Sequence, residues 1–247
     1  MSDKLVWNAL VARDREGGIG LTEGKLPWKL YNEWQYYLRM LHHEQDEFLK
    51  NGKRTLLVGG PKGTDIEFLR TDGFHKAGGF YWAVISKSLK QTPEGADFLS
   101  GDYSMDELDK WMNSEEWRPK IGRVIILGGV PSCGNTDSSV RAVNSSSGIS
   151  LILGREKERP GVSSTVKPAA KMYNLLMTLP FPSRYFMTVI DHDFKADRKI
   201  DQLDMSKWKR VPTESIKDLP VLVGPQREVD QISGKEVSYE VHVYVNH

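Results

Sequence analysis

Leu5-Val6-Trp7-Asn8-Ala9-Leu10-Val11-Ala12, the turn Gly17-Gly18-Ile19-Gly20, the tripeptide Leu26-Pro27-Trp28 and the run Asn32-Glu33-Trp34-Gln35-Tyr36-Tyr37 follow one another within the first forty residues. The order is an apolar strand, a glycine turn, a proline-marked entry and an amphipathic helix. Leu30, Trp34, Tyr37, Leu38 and Leu41 fall on one stripe of that helix. Glu33 lies at the edge of the stripe, with Leu30 three residues before it and Tyr37 four after. A carboxylate among aromatics is costly to desolvate unless it is paired or does chemistry. The plain alternative for a single glutamate is a solvated boundary residue.

Working outward, short apolar runs rich in β-branched residues recur at Thr55–Val58, Tyr81–Ser86, Val124–Leu127, Ser150–Leu153 and Tyr185–Ile190. They are mostly continuous rather than alternating, as in strands buried on both faces. The C-terminus differs. Val237, Tyr239, Val241, Val243 and Val245 alternate with polar residues behind the turn Ser233-Gly234-Lys235, which predicts an antiparallel strand with one wet face. Ser104-Met105-Asp106-Glu107 reads as a capping box ahead of Leu108, Trp111 and Met112. Ala169–Leu179 predicts a further helix, stopped by Pro180 and Pro182. Strands alternating with helices imply an α/β fold: a central, mostly parallel sheet with an antiparallel C-terminal edge strand and helices on both faces. The serine- and glycine-rich segment at about 131–167 reads as an insertion in a single domain spanning 1–247.

Composition narrows the function classes. The 247 residues carry a net charge of +1 with no long basic run, so neither nucleic acid nor a membrane surface has electrostatic support as a partner. The lone Cys133 rules out an internal disulfide framework and suits a reducing compartment. No apolar run is long enough to span a bilayer, and Met1-Ser2-Asp3-Lys4-Leu5 lacks the apolar core of a signal peptide. The expectation is a cytoplasmic protein acting on a small molecule. Asp191-His192-Asp193 is no metal site on this reading, because neighbours on a strand point to opposite faces. His42-His43 reads as a solvated helix end.

Leu26-Pro27-Trp28 five residues ahead of Glu33, the preceding glycine turn, and Tyr185-Phe186-Met187-Thr188-Val189-Ile190 with Asp193-Phe194-Lys195-Ala196-Asp197 behind it together resemble the dihydrofolate reductase family. The segment from Ile85-Ser86-Lys87 to Phe98-Leu99-Ser100 resembles the animal enzymes in particular, and Gly234–Val241 resembles the closing hairpin. The resemblance implies that Glu33 grips the amino-pyrimidine edge of a pterin, since a carboxylate matches two parallel N–H donors. It implies that Trp28 holds a water near the protonated position and that the Thr188 hydroxyl bonds the acid. Leu10, Ala12, Trp34, Tyr37 and Phe80 would line the substrate. Gly20, Lys62, Ser86, Lys87, Gly128, Gly129 and Tyr173 would contact NADPH. Each residue also has an ordinary reading: Trp34 and Tyr37 as core, Thr188 as a locally satisfied strand threonine, Lys87 as a surface lysine.

The pattern breaks in three places. After the second strand, Val58-Gly59-Gly60-Pro61-Lys62-Gly63-Thr64-Asp65-Ile66 replaces the family's basic residue, threonine and tryptophan with Gly60, Lys62 and Gly63, leaving either an anion nest or a plain loop. The insertion departs just after Gly128-Gly129, where the family's cofactor-binding helix begins, and either loops outward or fills the groove. Phe80 stands where the family has the arginine that binds the folate α-carboxylate, with Arg70 and Lys76 as nearby cations. The leading expectation is an NADPH-dependent reductase of a planar conjugated C=N or C=C bond, in dihydrofolate or a related secondary metabolite. The alternative is the same fold repurposed for a cofactor-independent isomerisation, cyclisation or elimination in small-molecule biosynthesis, with Glu33 as acid or base. A non-enzymatic binding protein is the third.

Overall fold

The computed structural model describes residues 5–21, 26–43, 45–60, 79–86, 89–101, 105–127, 173–178, 181 and 183–246. The expected strand Ser150–Leu153, the insertion at 131–167, the capping residue Ser104 and the cations Arg70 and Lys76 lie outside them.

Parallel strands form the middle of the main sheet. These are β1 (Trp7–Arg13), β3 (Arg54–Gly59), β4 (Phe80–Ile85), β5 (Phe98–Ser100), β6 (Ile121–Leu127) and β7 (Ser183–Ile190), in the spatial order β5-β4-β3-β6-β1-β7. β1 runs between β6 and β7, with Leu10 opposite Leu127 on one side and Phe186 on the other. Neighbours on both edges and packing on both faces explain why its sequence is continuously apolar. Beyond β7 the direction reverses. β11 (Glu236–Asn246) is antiparallel to β7, and its alternating residues Val237, Tyr239, Val241 and Val243 are buried. The C-terminal strand is not itself the edge, however. β10 (Gln226–Val229) pairs with one half of its outer side and β9 (Trp208–Val211) with the other. Each spans four residues with charged members, too short for a period to show in the sequence.

Helices cover both faces. On one face α1 (Tyr31–His42) packs Tyr36, Tyr37, Met40 and Leu41 over Leu10, Leu57, Ile125, Leu127 and Phe186. A short α2 (Gln45–Lys50) follows it. On the other face α3 (Met105–Met112) and the helical residues 173–176 bring Met105, Leu108, Met112, Tyr173 and Leu176 over Ala9, Val11, Val58, Val124, Ile126 and Tyr185. No helix among the described residues is long and apolar enough to cross a membrane.

The glycine turn is held by a buried carboxylate. Asp14 Oδ1 accepts the Gly18 N–H at 2.6 Å and the Glu16 N–H at 2.9 Å. Gly17 takes φ +82°, a region open to glycine. β2 (Gly18–Gly20) then pairs antiparallel with β8 (Arg198–Lys199). A Cβ on Gly18 would overlap the Ala196 methyl and stand 2.6 Å from Asp14 Oδ2. We expect Gly18→Ala to cost about 1–3 kcal/mol, as other overpacked sites do. Its urea midpoint should fall at unchanged slope. Gly101→Ala, whose Cβ meets nothing within 4 Å, should not share that loss.

Candidate active site

The entry to α1 carries Trp28 and Glu33, and the opposite end of the chain holds it in place. Leu30 at the helix N-cap supplies no side-chain cap. The C-terminal hairpin supplies the acceptors. Asp230 Oδ1 takes the Lys29 N–H at 2.7 Å, and the two Glu228 oxygens take the Asn32 N–H at 2.9 and 3.1 Å. The Gln231 N–H returns a bond to the Lys29 carbonyl at 3.1 Å. Asp230 is fully buried and also accepts from the Ser233 N–H and hydroxyl. Burial alone pushes its carboxyl up, but the bonds from Ser233, Lys29 and Ile232 hold it below the usual range.

Glu33 is half-buried, in the first turn of α1. Burial pushes its carboxyl up to about 7; a hydrogen bond from Thr188 opposes the rise and the charge of Glu228 adds to it. Thr188 is buried on β7 and lies in register with Ala12 of β1, as Phe186 does with Leu10. The even-numbered residues of both strands thus make the floor beneath α1. Around Glu33 stand two phenols. Tyr36 is buried with no partner for its hydroxyl among the described residues; burial, then the Glu33 charge, push it well above its ordinary value, against Arg39. Tyr239 of β11 is pushed up to about 12 by burial and by Glu228 and Glu33, again against Arg39.

Trp28 is 2% exposed and packs with Leu30, Ile190, Val237 and Tyr239, with its ring 5.2 Å from that of Phe194. Its indole N–H is buried and finds no acceptor among the described residues. Such a donor is costly to leave unmade, so its presence at the head of this helix points to a ligand or a water. Trp34 and Tyr37 stack on each other with centroids 5.2 Å apart. That spacing leaves no room for a ring between them, so a planar ligand would lie against the pair. Phe80 opens β4 on the flank of the α1 core, with His42 edge-on at 6.2 Å.

Of the residues expected at the cofactor, Gly20 takes φ +149° in the β2–β8 pair. The Ser86 hydroxyl is buried and accepts the Leu89 N–H at 3.3 Å. Tyr173 donates its hydroxyl to the Leu10 carbonyl, which ties the helical residues 173–176 to β1. Lys62, Lys87, Gly128 and Gly129 lie outside the described residues. An open cavity of about 370 Å³ lined by Arg13, Gly17, Met187, Leu203 and Tyr244 lies on the sheet face away from Glu33. Among the described residues no group of three or more His, Cys, Asp and Glu is placed to hold a metal ion.

Sequence reasoning missed Glu228, Asp230, Tyr36 and Tyr239. The one available signal was the pair of acids, Glu228 and Asp230, just before the turn at Ser233-Gly234. Nothing local says that they reach back across 196 residues to Asn32 and 201 to Lys29.

No family model matches the chain. It is 25% identical over 236 residues to the dihydrofolate reductase of Rattus norvegicus, covering 95% of each. Two solved structures share its fold at 16% identity. The Schistosoma mansoni dihydrofolate reductase has a TM-score of 0.57, with 99% of this chain and 100% of that one covered. A dihydrofolate reductase from Enterococcus faecalis complexed with NADP(H) and RAB-propyl has a TM-score of 0.51, with 98% and 96% covered. End-to-end similarity in sequence and in fold agree: the chain is dihydrofolate-reductase-like, a divergent relative in sequence with the same fold.

Proposed function

We propose that the protein is an NADPH-dependent reductase of a small planar substrate with a conjugated C=N or C=C bond, either dihydrofolate or a related heterocycle. The observation that carries this reading is Glu33, a carboxyl in the first turn of α1 that burial pushes up to about 7, over the β1–β7 floor that carries Thr188. A group with a pKa near 7 serves both as donor and as acceptor at neutral pH. Protonated Glu33 supplies the proton that must reach the substrate when its double bond is reduced. Ionised, it holds paired N–H groups of a heterocycle. The Trp28 indole N–H orients an acceptor, either a substrate atom or the water through which the proton passes. The stacked Trp34 and Tyr37 offer a flat apolar wall.

The cofactor reading draws on the topology. The chain leaves β3 towards β4 on one side and β6 towards β7 on the other. In open α/β sheets ligands bind where adjacent strands part in this way, outside their carboxyl ends. Gly59 ends β3 at this point and Gly60 follows it, and Gly128 and Gly129 follow β6 in the sequence, so neither strand is followed at once by a bulky side chain. NADPH, when bound, supplies the hydride. Gly20, Ser86 and Tyr173, with Lys62, Lys87, Gly128 and Gly129, are the residues that would hold it. Phe80, at the start of β4, offers apolar surface rather than a carboxylate-binding fork. The substrate on this reading is recognised by its head group, with no requirement for an anionic tail.

Three outcomes test this. NADPH should quench the tryptophan fluorescence of the purified protein; unchanged emission at millimolar NADPH would overturn the reading. Glu33→Gln should lower kcat for the reduced substrate by about 10²–10⁴, the usual range for a proton-transfer group. In the parent protein kcat/KM should fall as pH rises through about 7, where Glu33 loses its proton. Stability follows the same group. Its folded value lies above the unfolded 4.5, so the native state holds the extra proton between about 4.5 and 7, and stability declines with rising pH across that window. Glu33→Gln should therefore raise Tm at pH 8 and leave it little changed at pH 4, read by calorimetry at both values.

A further inference from the structure

We propose that Glu228 is a positioning residue of the Glu33 site: bound to the first turn of α1, it takes the positive helix end for itself and keeps Glu33 in its protonated, hydrogen-donating form. The geometry carries the argument. The N-terminus of a helix is an anion site, with unpaired N–H groups and the positive end of the dipole, and a carboxylate in the first turn normally profits from it. Glu33 occupies that turn. The Asn32 N–H one residue before it is nevertheless already taken, by both oxygens of Glu228 at 2.9 and 3.1 Å. Glu228 reaches it from β10, whose register on β11 sets Glu228 opposite Val237, two residues from Tyr239. Glu228 thus occupies the helix end at the residue before Glu33, and its charge adds to the rise of the Glu33 carboxyl.

Among the charged groups that act on Glu33, Glu228 is the one that raises its carboxyl. α1 contributes the Tyr36 phenol and Arg39, β7 contributes the Thr188 hydroxyl, and β11 contributes Tyr239. Both phenols stay neutral at ordinary pH, because each is pushed above its usual value. Thr188 favours the ionised acid; Glu228 is the one anion in the set, and it acts in the direction that burial does. The inference rests on the reading of Glu33 as the proton-handling group, but it concerns the titration of that group and not the reaction.

The test therefore needs no turnover. Protein labelled with ¹³C at the glutamate carboxyl is titrated by NMR, and the Glu33 resonance is identified by its loss in Glu33→Gln. In Glu228→Gln the amide oxygen still accepts the Asn32 N–H while the charge is gone, so the Glu33 midpoint should fall by about 0.5–1 pH unit. Glu228→Asp, which keeps the charge, should stay nearer the parent. A folded Glu228→Gln with an unmoved Glu33 midpoint overturns the proposal and reduces Glu228 to a helix cap. Should the variant not fold, the parent protein gives the second measurement. Screening of the repulsion in 1 M NaCl should lower the Glu33 midpoint relative to low salt, and an unchanged or raised midpoint overturns the proposal. The two readings fail separately. A shifted titration without any reductase activity leaves this inference standing, whereas an active reductase with an unshifted midpoint removes it alone.

Discussion

The clamp between two hairpin carboxylates and the start of α1 is the constraint on which the site depends. Glu228 and Asp230 take the amides of Asn32 and Lys29, and the Gln231 amide returns to the Lys29 carbonyl. Without them the helix would begin at Leu30 with no side-chain acceptor for its first amides. A missing cap typically costs about 1 kcal/mol, and bonds to charged acceptors are stronger than neutral ones. The clamp also fixes geometry. It joins the segment that carries Trp28 and Glu33 to β10, β10 to β11, and β11 to β7, which carries Thr188. Glu33 and Thr188, 155 positions apart in the chain, meet because one hydrogen-bonded circuit closes around them.

What was legible in the sequence divides along the same line. β1, β3, β4, β6 and β7 announce themselves because strands in the middle of a parallel sheet are apolar on both faces, and β11 because one of its faces is wetter. α1 shows its stripe because Tyr37 and Leu41 share one face of the helix. Contacts that need the whole fold to exist were not legible. Trp208-Lys209-Arg210-Val211 becomes a strand through its pairing with residues 243–246, and its own composition does not say so. The β2–β8 pair joins three residues to two across the molecule. Glu33 could be singled out from its neighbours, but the charge that raises its proton affinity could not, since Glu228 arrives from another element.

The electrostatics of the site reverse the simplest expectation for an acid at a helix N-terminus. Such an acid should ionise readily. Here burial is the larger influence, Thr188 offers one opposing hydrogen bond, and the favourable helix end is occupied by a second acid. A carboxyl near neutrality is the result. It leaves the folded protein carrying a cost above pH 7 that a glutamine would not incur, a burden that stability alone gives no reason to keep.

That cost is one of three breaches of ordinary packing that lie together. The Trp28 indole N–H and the Tyr36 hydroxyl are buried without partners among the described residues, and Glu33 is a carboxyl held away from its preferred state. Protein interiors seldom leave such groups unsatisfied. Trp28 packs against Tyr239, and Glu33 acts on both Tyr36 and Tyr239. Local inconsistency of this kind is expected where a surface serves something other than its own stability. On the reductase reading, a donor on Trp28, a donor or acceptor on Glu33 and a flat wall at Trp34 and Tyr37 would together complement a planar, polar-edged heterocycle.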